Sequence, residues 1–264
     1  MTSLLDSSPL GLLDSLRGDR TRRPRRDVAL AAGLRAQLDD ELFALWGEHL
    51  RDEPLVVRAS SLRHGDHVEI ASHPLAQVRG VLVNHALRLL SVGDVLDRPC
   101  AAALEAWRCE VGANDLLNYV DALDADEYAR LTSAVDAHVG TLARSLGPVG
   151  GRWLLRTGVR ATLRLAAGNV LVRDVIDLMV GTTITPEASV VLLDVTTAPL
   201  DFNAERTMRY HALVQTLRTS VVPLRTSAFS TATGELWTRD VDATLLRRGL
   251  DELVAVLSED AVTP

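Results

Sequence analysis

Apolar residues recur at helical spacing through the first half of the chain and at strand spacing through much of the second. Leu30, Leu34, Leu38, Leu42 and Leu45, with Trp46 close behind, predict a helix over Val28–Leu50. Pro54–Ser61 is short and β-branched and predicts an extended piece. From His73 to Val92 a helix is predicted. Pro74 stands in its first turn, and Leu75, Val78, Val81, Leu82, Ala86 and Leu89–Leu90 line one side. Helical patterns follow at Cys100–Val111, Asp115–Asp121 and Asp126–Leu146, until Gly147–Gly151 breaks the pattern.

Strands are then predicted at Val159–Ala167, Asn169–Val180 and Ser189–Val195, the last apolar enough for burial on both faces. Ala204–Arg218 returns to helical spacing. Leu224–Ser230 and Glu235–Thr238 read as strands divided by the turn Ala232-Thr233-Gly234, and Val241–Leu257 closes as a helix. A helical N-terminal half followed by β-β-β-α-β-β-α predicts an α/β fold.

Residues 1–27 read as a flexible tail. Within them Arg17, Arg20, Arg22, Arg23, Arg25 and Arg26 crowd around Pro24 without apolar periodicity, so this stretch has no core to bury and suits a phosphate-binding arm. The remainder, 28–264, is expected to form one domain, mainly helical to residue 150 and built on a sheet beyond it.

The 264 residues are 47% apolar and 24% charged, a globular composition. All 28 basic residues are arginine, so P-loop, Schiff-base and kinase-type lysines are excluded, and with them a nucleotide cofactor of those kinds. A GC-rich coding sequence, which trades Lys for Arg, would account for this without function, and selection against amine modification would account for it as well. Two cysteines, Cys100 and Cys109, are too few for a four-Cys zinc or iron–sulfur site. The N-terminus lacks a basic signal region and no apolar run is long enough to span a membrane, so a cytoplasmic location is expected. At a net charge of −7, any nucleic-acid partner must meet a local basic patch.

Candidate chemistry gathers at three positions. Asp177 lies inside a predicted strand, and Asp194 ends the apolar run VVLL. A buried carboxylate must be paired, hydrogen-bonded or metal-bound, and two on adjacent strands can share a hard cation such as Mg²⁺. His85 sits on the predicted helix over His73–Val92, among Val81, Leu82 and Leu89. The pair His64 and His67 has no third ligand nearby in sequence, and His67-Val-Glu69 lacks the P-C-x-x-C of a zinc deaminase.

The order R-G-V-L-V-N-H, V-I-D-L-M-V-G, V-V-L-L-D-V-T-T, R-Y-H-A-L-V-Q-T-L-R and a T-G-E turn between strands resembles the RecB-like branch of the PD-(D/E)XK nuclease superfamily, closest to its short actinobacterial members. The resemblance spans roughly Val56 to Leu257. It implies a mixed central sheet of restriction-endonuclease or RecB-nuclease type, Mg²⁺ or Mn²⁺ as cofactor, and DNA as substrate or ligand. A protein partner such as a helicase or another repair or defence component is also implied. It places His85, Asp177, Asp194 and the backbone carbonyl of Val195 at the metal.

Departures from the pattern are specific. The lysine of D-x-K, which offsets charge beside the scissile phosphate, falls on Thr196. The glutamine of the following helix falls on Arg206, and in one register its tyrosine falls on His211. Arg209 matches an arginine of the short members, and the glycine three residues before the first aspartate is Asp174. Arg206 or Arg209 could supply the missing cation, although arginine shuttles protons poorly. The expectation is a nuclease-like protein with impaired or lost cleavage, in which Thr196→Lys raises the rate. The alternative is a non-catalytic pseudonuclease scaffold that binds a protein partner.

Overall fold

The computed structural model describes residues 3–4, 11–17, 27–47, 53–62, 73–112, 114–149, 154–181 and 190–262. Its strands are β1 (Ser3–Leu4), β2 (Leu55–Val57), β3 (Leu155–Leu165), β4 (Val170–Val180), β5 (Val191–Thr196), β6 (Arg225–Ser230) and β7 (Glu235–Asp240). Its α-helices are α1 (Leu12–Arg17), α2 (Val28–Trp46), α3 (Pro74–Ser91), α4 (Pro99–Glu110), α5 (Asp115–Asp121), α6 (Ala125–Leu146), α7 (Phe202–Thr219) and α8 (Ala243–Val262). The fold is mixed α/β, with parallel and antiparallel pairs in one sheet and several helices in the N-terminal half.

Helix starts follow local chemistry. Asp27, Asn114, Asp124 and Asp201 each accept a backbone N–H at the N-terminus of α2, α5, α6 and α7. At α6, Asp124 and Glu127 satisfy one another's backbone as a capping box. Burial of apolar faces then sorts the helices into two layers. Val78, Leu82 and Ala86 of α3, Trp107 of α4 and Val135 and Val139 of α6 pack on Leu178, Val180, Leu193 and Val195. On the other layer, Leu38 and Leu42 of α2, Tyr210 and Leu213 of α7 and Leu250 and Leu253 of α8 pack with Leu163 and Val172.

The tail expectation is corrected at α1. Leu12, Leu13 and Leu16 are buried in the α3–α4–α6 layer. They recur on one helical face that the polar run behind them hides from a composition argument. Arg20, Arg22, Arg23, Arg25 and Arg26 lie outside the described residues, as do His64, His67 and Glu69, and Arg17 is the last residue of α1.

β4 organises the centre. One edge pairs with β3 along its whole length. The other edge is shared: β2 runs parallel beside Val170–Val172, and β5 runs antiparallel beside Leu178–Val180. Between them, positions 173–177 of β4 have no strand partner on that edge among the described residues. Tyr210 of α7 reaches into this gap, where its Oη donates to the carbonyl of Arg173 at 2.7 Å and stands 3.2 Å from that of Val57. The alternation along β4 also slips here. Ile176 and Met179 share one apolar cluster while Leu178 belongs to the opposite layer. Gly158 of β3 falls opposite Asp177 in the register, at φ +57°. Such a left-handed residue bends the ladder and re-aims the side chains beside it.

Candidate functional site

Asp174 and Asp177 occupy the unpaired edge of β4, Asp194 stands in β5, and His211 comes from the buried helix α7. The Oδ2 of Asp177 accepts the backbone N–H of Val195 at 2.8 Å. His211 Nδ1 is 2.8 Å from Asp174 Oδ1, and its Nε2 is 3.6 Å from Asp194 Oδ1. Asp174 and His211 are 3% and 2% exposed, so water screens this pair little.

Burial pushes the Asp177 carboxyl well above the usual carboxylate range, and the neighbouring Asp194 charge adds to the push. Burial by itself would lower the His211 pKa. Asp174 and Asp194 outweigh it and hold the imidazole well above its ordinary value. The cluster therefore sets an imidazole held toward its protonated form and an Asp177 carboxyl held toward its neutral form beside Asp174 and Asp194.

Of the four residues expected at a metal, the structure brings Asp177, Asp194 and the backbone of Val195 together. Asp177 and Asp194 meet, whereas His85 belongs to the layer formed by α3 and α4. Its ring centroid lies 6.2 Å from that of Trp107 and its Nδ1 lies 3.7 Å from Glu110. Burial and the adjacent Arg88 lower its pKa. That layer packs on the sheet face carrying Leu178 and Leu193, while His211 approaches from α7 on the opposite face. The expected His85–Asp177–Asp194 convergence is thus corrected to Asp174–His211–Asp194–Asp177. Among the described residues, no group of three His, Cys, Asp or Glu side chains is placed to hold a metal ion. As placed, the four side chains do not fit a metal centre.

Expected substitute cations also point elsewhere. Arg209 makes a two-pronged contact to Glu252 of α8, at 3.0 Å and 2.7 Å, and lies 3.7 Å from Glu205. The Arg206 guanidinium lies 6.0 Å from the Phe202 ring centroid, and its Nε has no hydrogen bond. Thr196 lines a cavity of about 150 Å³ beside Asp194 and Asp201, and its hydroxyl accepts the N–H of Ala198 at 3.1 Å. The Val195 side chain is buried with Leu193, and its amide serves Asp177.

The partnership of Asp174 with His211 is absent from the sequence reading. Its signal lies in the alternation 170, 172, 174, 176: an acid at an inward strand position needs a partner just as Asp177 does.

No family model matches the sequence, and no curated protein matches it. A solved structure described as "Crystal structure of SSO0001" is similar at 10% identity and a TM-score of 0.29, over 86% of each chain. So weak a superposition assigns neither a family nor an activity.

Proposed function

We propose that this chain is a nuclease-type protein of RecB-like character that binds nucleic acid and has lost phosphodiester cleavage. One observation carries the reading: the His211 imidazole, 2.8 Å from Asp174 and 3.6 Å from Asp194, stands between the two acids where a cation would have to sit. An imidazole held toward protonation beside these acids weakens their attraction for a divalent cation. Phosphodiester attack builds negative charge, and the absence of a preorganised stabilising group typically costs about 10²–10³-fold in rate. Thr196 offers no charge, and Arg209 is fixed by Glu252. Incubation of the purified protein with linear, nicked and single-stranded DNA in Mg²⁺ or Mn²⁺ is expected to give binding without cleavage. Robust cleavage that Asp194→Ala abolishes would overturn it.

A second reading is favoured by the buried Nε2 of His211, which has no hydrogen bond. A neutral imidazole donating Nδ1–H to Asp174 would present that lone pair beside Asp194. After rotation of Asp177 and Asp194, Mn²⁺ would then compete with a proton. Calorimetric titration with Mn²⁺ separates the two. Binding that strengthens as pH rises and disappears in His211→Gln supports this reading. In that case Thr196→Lys is expected to raise cleavage. No Mn²⁺ binding at any pH supports the first reading.

A further inference from the structure

The open face of the ribbon formed by β2, β3 and β4 carries Arg160, Arg164 and Arg173 on exposed positions of the strands, and Arg58 follows β2. The register draws them together. Arg173 stands opposite Thr162, Arg160 opposite Val175, and Arg58 directly follows the pair Val57–Val172. Neighbouring strands lie about 4.8 Å apart and alternate residues about 6.6 Å apart along a strand. Arg58, Arg160 and Arg173 therefore line one cleft, of about 540 Å³, with Asp174 among its walls.

Charge at this place runs against the molecule, which is acidic overall at −7. No described carboxylate pairs with any of the three guanidinium groups, although Arg35, Arg88, Arg108, Arg209, Arg225 and Arg239 all have carboxylate partners. Like charges crowded on one face repel one another, so an unpaired group of this kind suits an anion. Asp174 does not cancel it, because its Oδ1 is engaged by His211 at 2.8 Å. Its other oxygen is buried without a hydrogen bond. Among the described residues no aromatic ring lines the cleft, which directs recognition to phosphate oxygens, the ligand that a guanidinium fork grips best.

We propose that the cleft lined by Arg58, Arg160 and Arg173 holds successive phosphates of a nucleic-acid strand. This rests on the nucleic-acid-binding reading above and names where the backbone lies. Because Asp174 joins the cleft to His211, the strand would run past the unpaired edge of β4 that carries the acidic cluster.

The test uses the full chain and a fluorescein-labelled oligothymidylate, with anisotropy read across a salt series. Arg58→Gln, Arg160→Gln and Arg173→Gln are combined in one variant, and Arg130→Gln, Arg247→Gln and Arg248→Gln, exposed on α6 and α8, are combined in a second as the charge-matched control. Circular dichroism melting shows that each folds. The wild type is expected to bind with a steep salt dependence. The combined variant should bind about tenfold or more weakly, and its log–log salt slope should fall by about 2, or about 0.7 per phosphate released. The control should keep the wild-type slope. Oligothymidylate binding by the wild type with an unchanged slope in the folded triple variant overturns the cleft but leaves the nucleic-acid reading standing. No oligothymidylate binding by the wild type overturns both. Binding of inorganic tripolyphosphate alone, lost in the triple variant, also overturns the proposal and marks a small-anion site.

Discussion

The imidazole of His211 meets Asp174 on one ring nitrogen and stands near Asp194 with the other. Its pKa is raised in the folded state, so the native protein holds this proton more tightly than the unfolded chain does. The resulting stability is complete below the unfolded histidine pKa, near 6.5, and is lost as pH rises through the raised folded value. Asp177 works in the same direction. Its carboxyl is also raised, so the native state keeps a proton that the unfolded carboxylate has already released near pH 4. The melting temperature is therefore expected to fall as pH is taken from neutral into the alkaline range. Asp177→Asn keeps an acceptor for the Val195 amide, offers Asp194 a donor and should flatten that decline. Removing Asp174 strands a buried imidazolium: Asp174→Ala should destabilise by roughly 3–5 kcal/mol in urea denaturation. A loss below about 1 kcal/mol would mean that His211 is neutral in the native state.

Among the elements, α1 and the bend in β4 show what the sequence discloses and what it hides. Helices α3 to α6 are legible because their apolar residues repeat at helical spacing and their starts carry Pro, Asn or Asp. α7 is legible as a helix but not as a buried one. Arg206, Arg209 and His211 look like solvent residues, yet α8, α2 and the sheet enclose them. The carboxylate pair can be read from one acid inside a predicted strand and another that ends an apolar run. The place of His85 cannot, because helical periodicity sets which face of a helix is buried and not which face of the sheet it covers. The slip at Gly158 is equally invisible, since a lone glycine in a strand gives no direction. Substitution tests both hidden features. Leu12→Ala or Leu16→Ala removes a fully buried side chain and should cost about 2–5 kcal/mol, a result foreign to a flexible tail. In Gly158→Ala the new Cβ would meet Arg88 Nη2 at 2.9 Å, and the left-handed backbone adds roughly 1–2 kcal/mol. That variant should melt lower and weaken the Arg88–Glu110 pair.

For the whole molecule, charge distribution decides how a chain with 35 acidic and 28 basic residues can hold a polyanion at all. Long-range attraction is unfavourable at a net charge of −7, so binding depends on places where arginines outnumber acids. Besides the cleft on β2, β3 and β4, the densest such run is Arg20, Arg22, Arg23, Arg25 and Arg26. Deleting residues 1–27 would confound its role, because the buried leucines of α1 would go with it. Replacing these arginines by serine keeps Leu12, Leu13 and Leu16 in the chain. If the run binds phosphates, the salt slope of duplex binding should fall by about 0.9 for each phosphate no longer neutralised, while the melting temperature stays that of the wild type. Its effect should add to that of the cleft substitutions, as independent sites do. A slope identical to the wild type, measured on duplex and on single strands, would leave the cleft as the sole electrostatic anchor and reduce the basic run to a connector between α1 and α2.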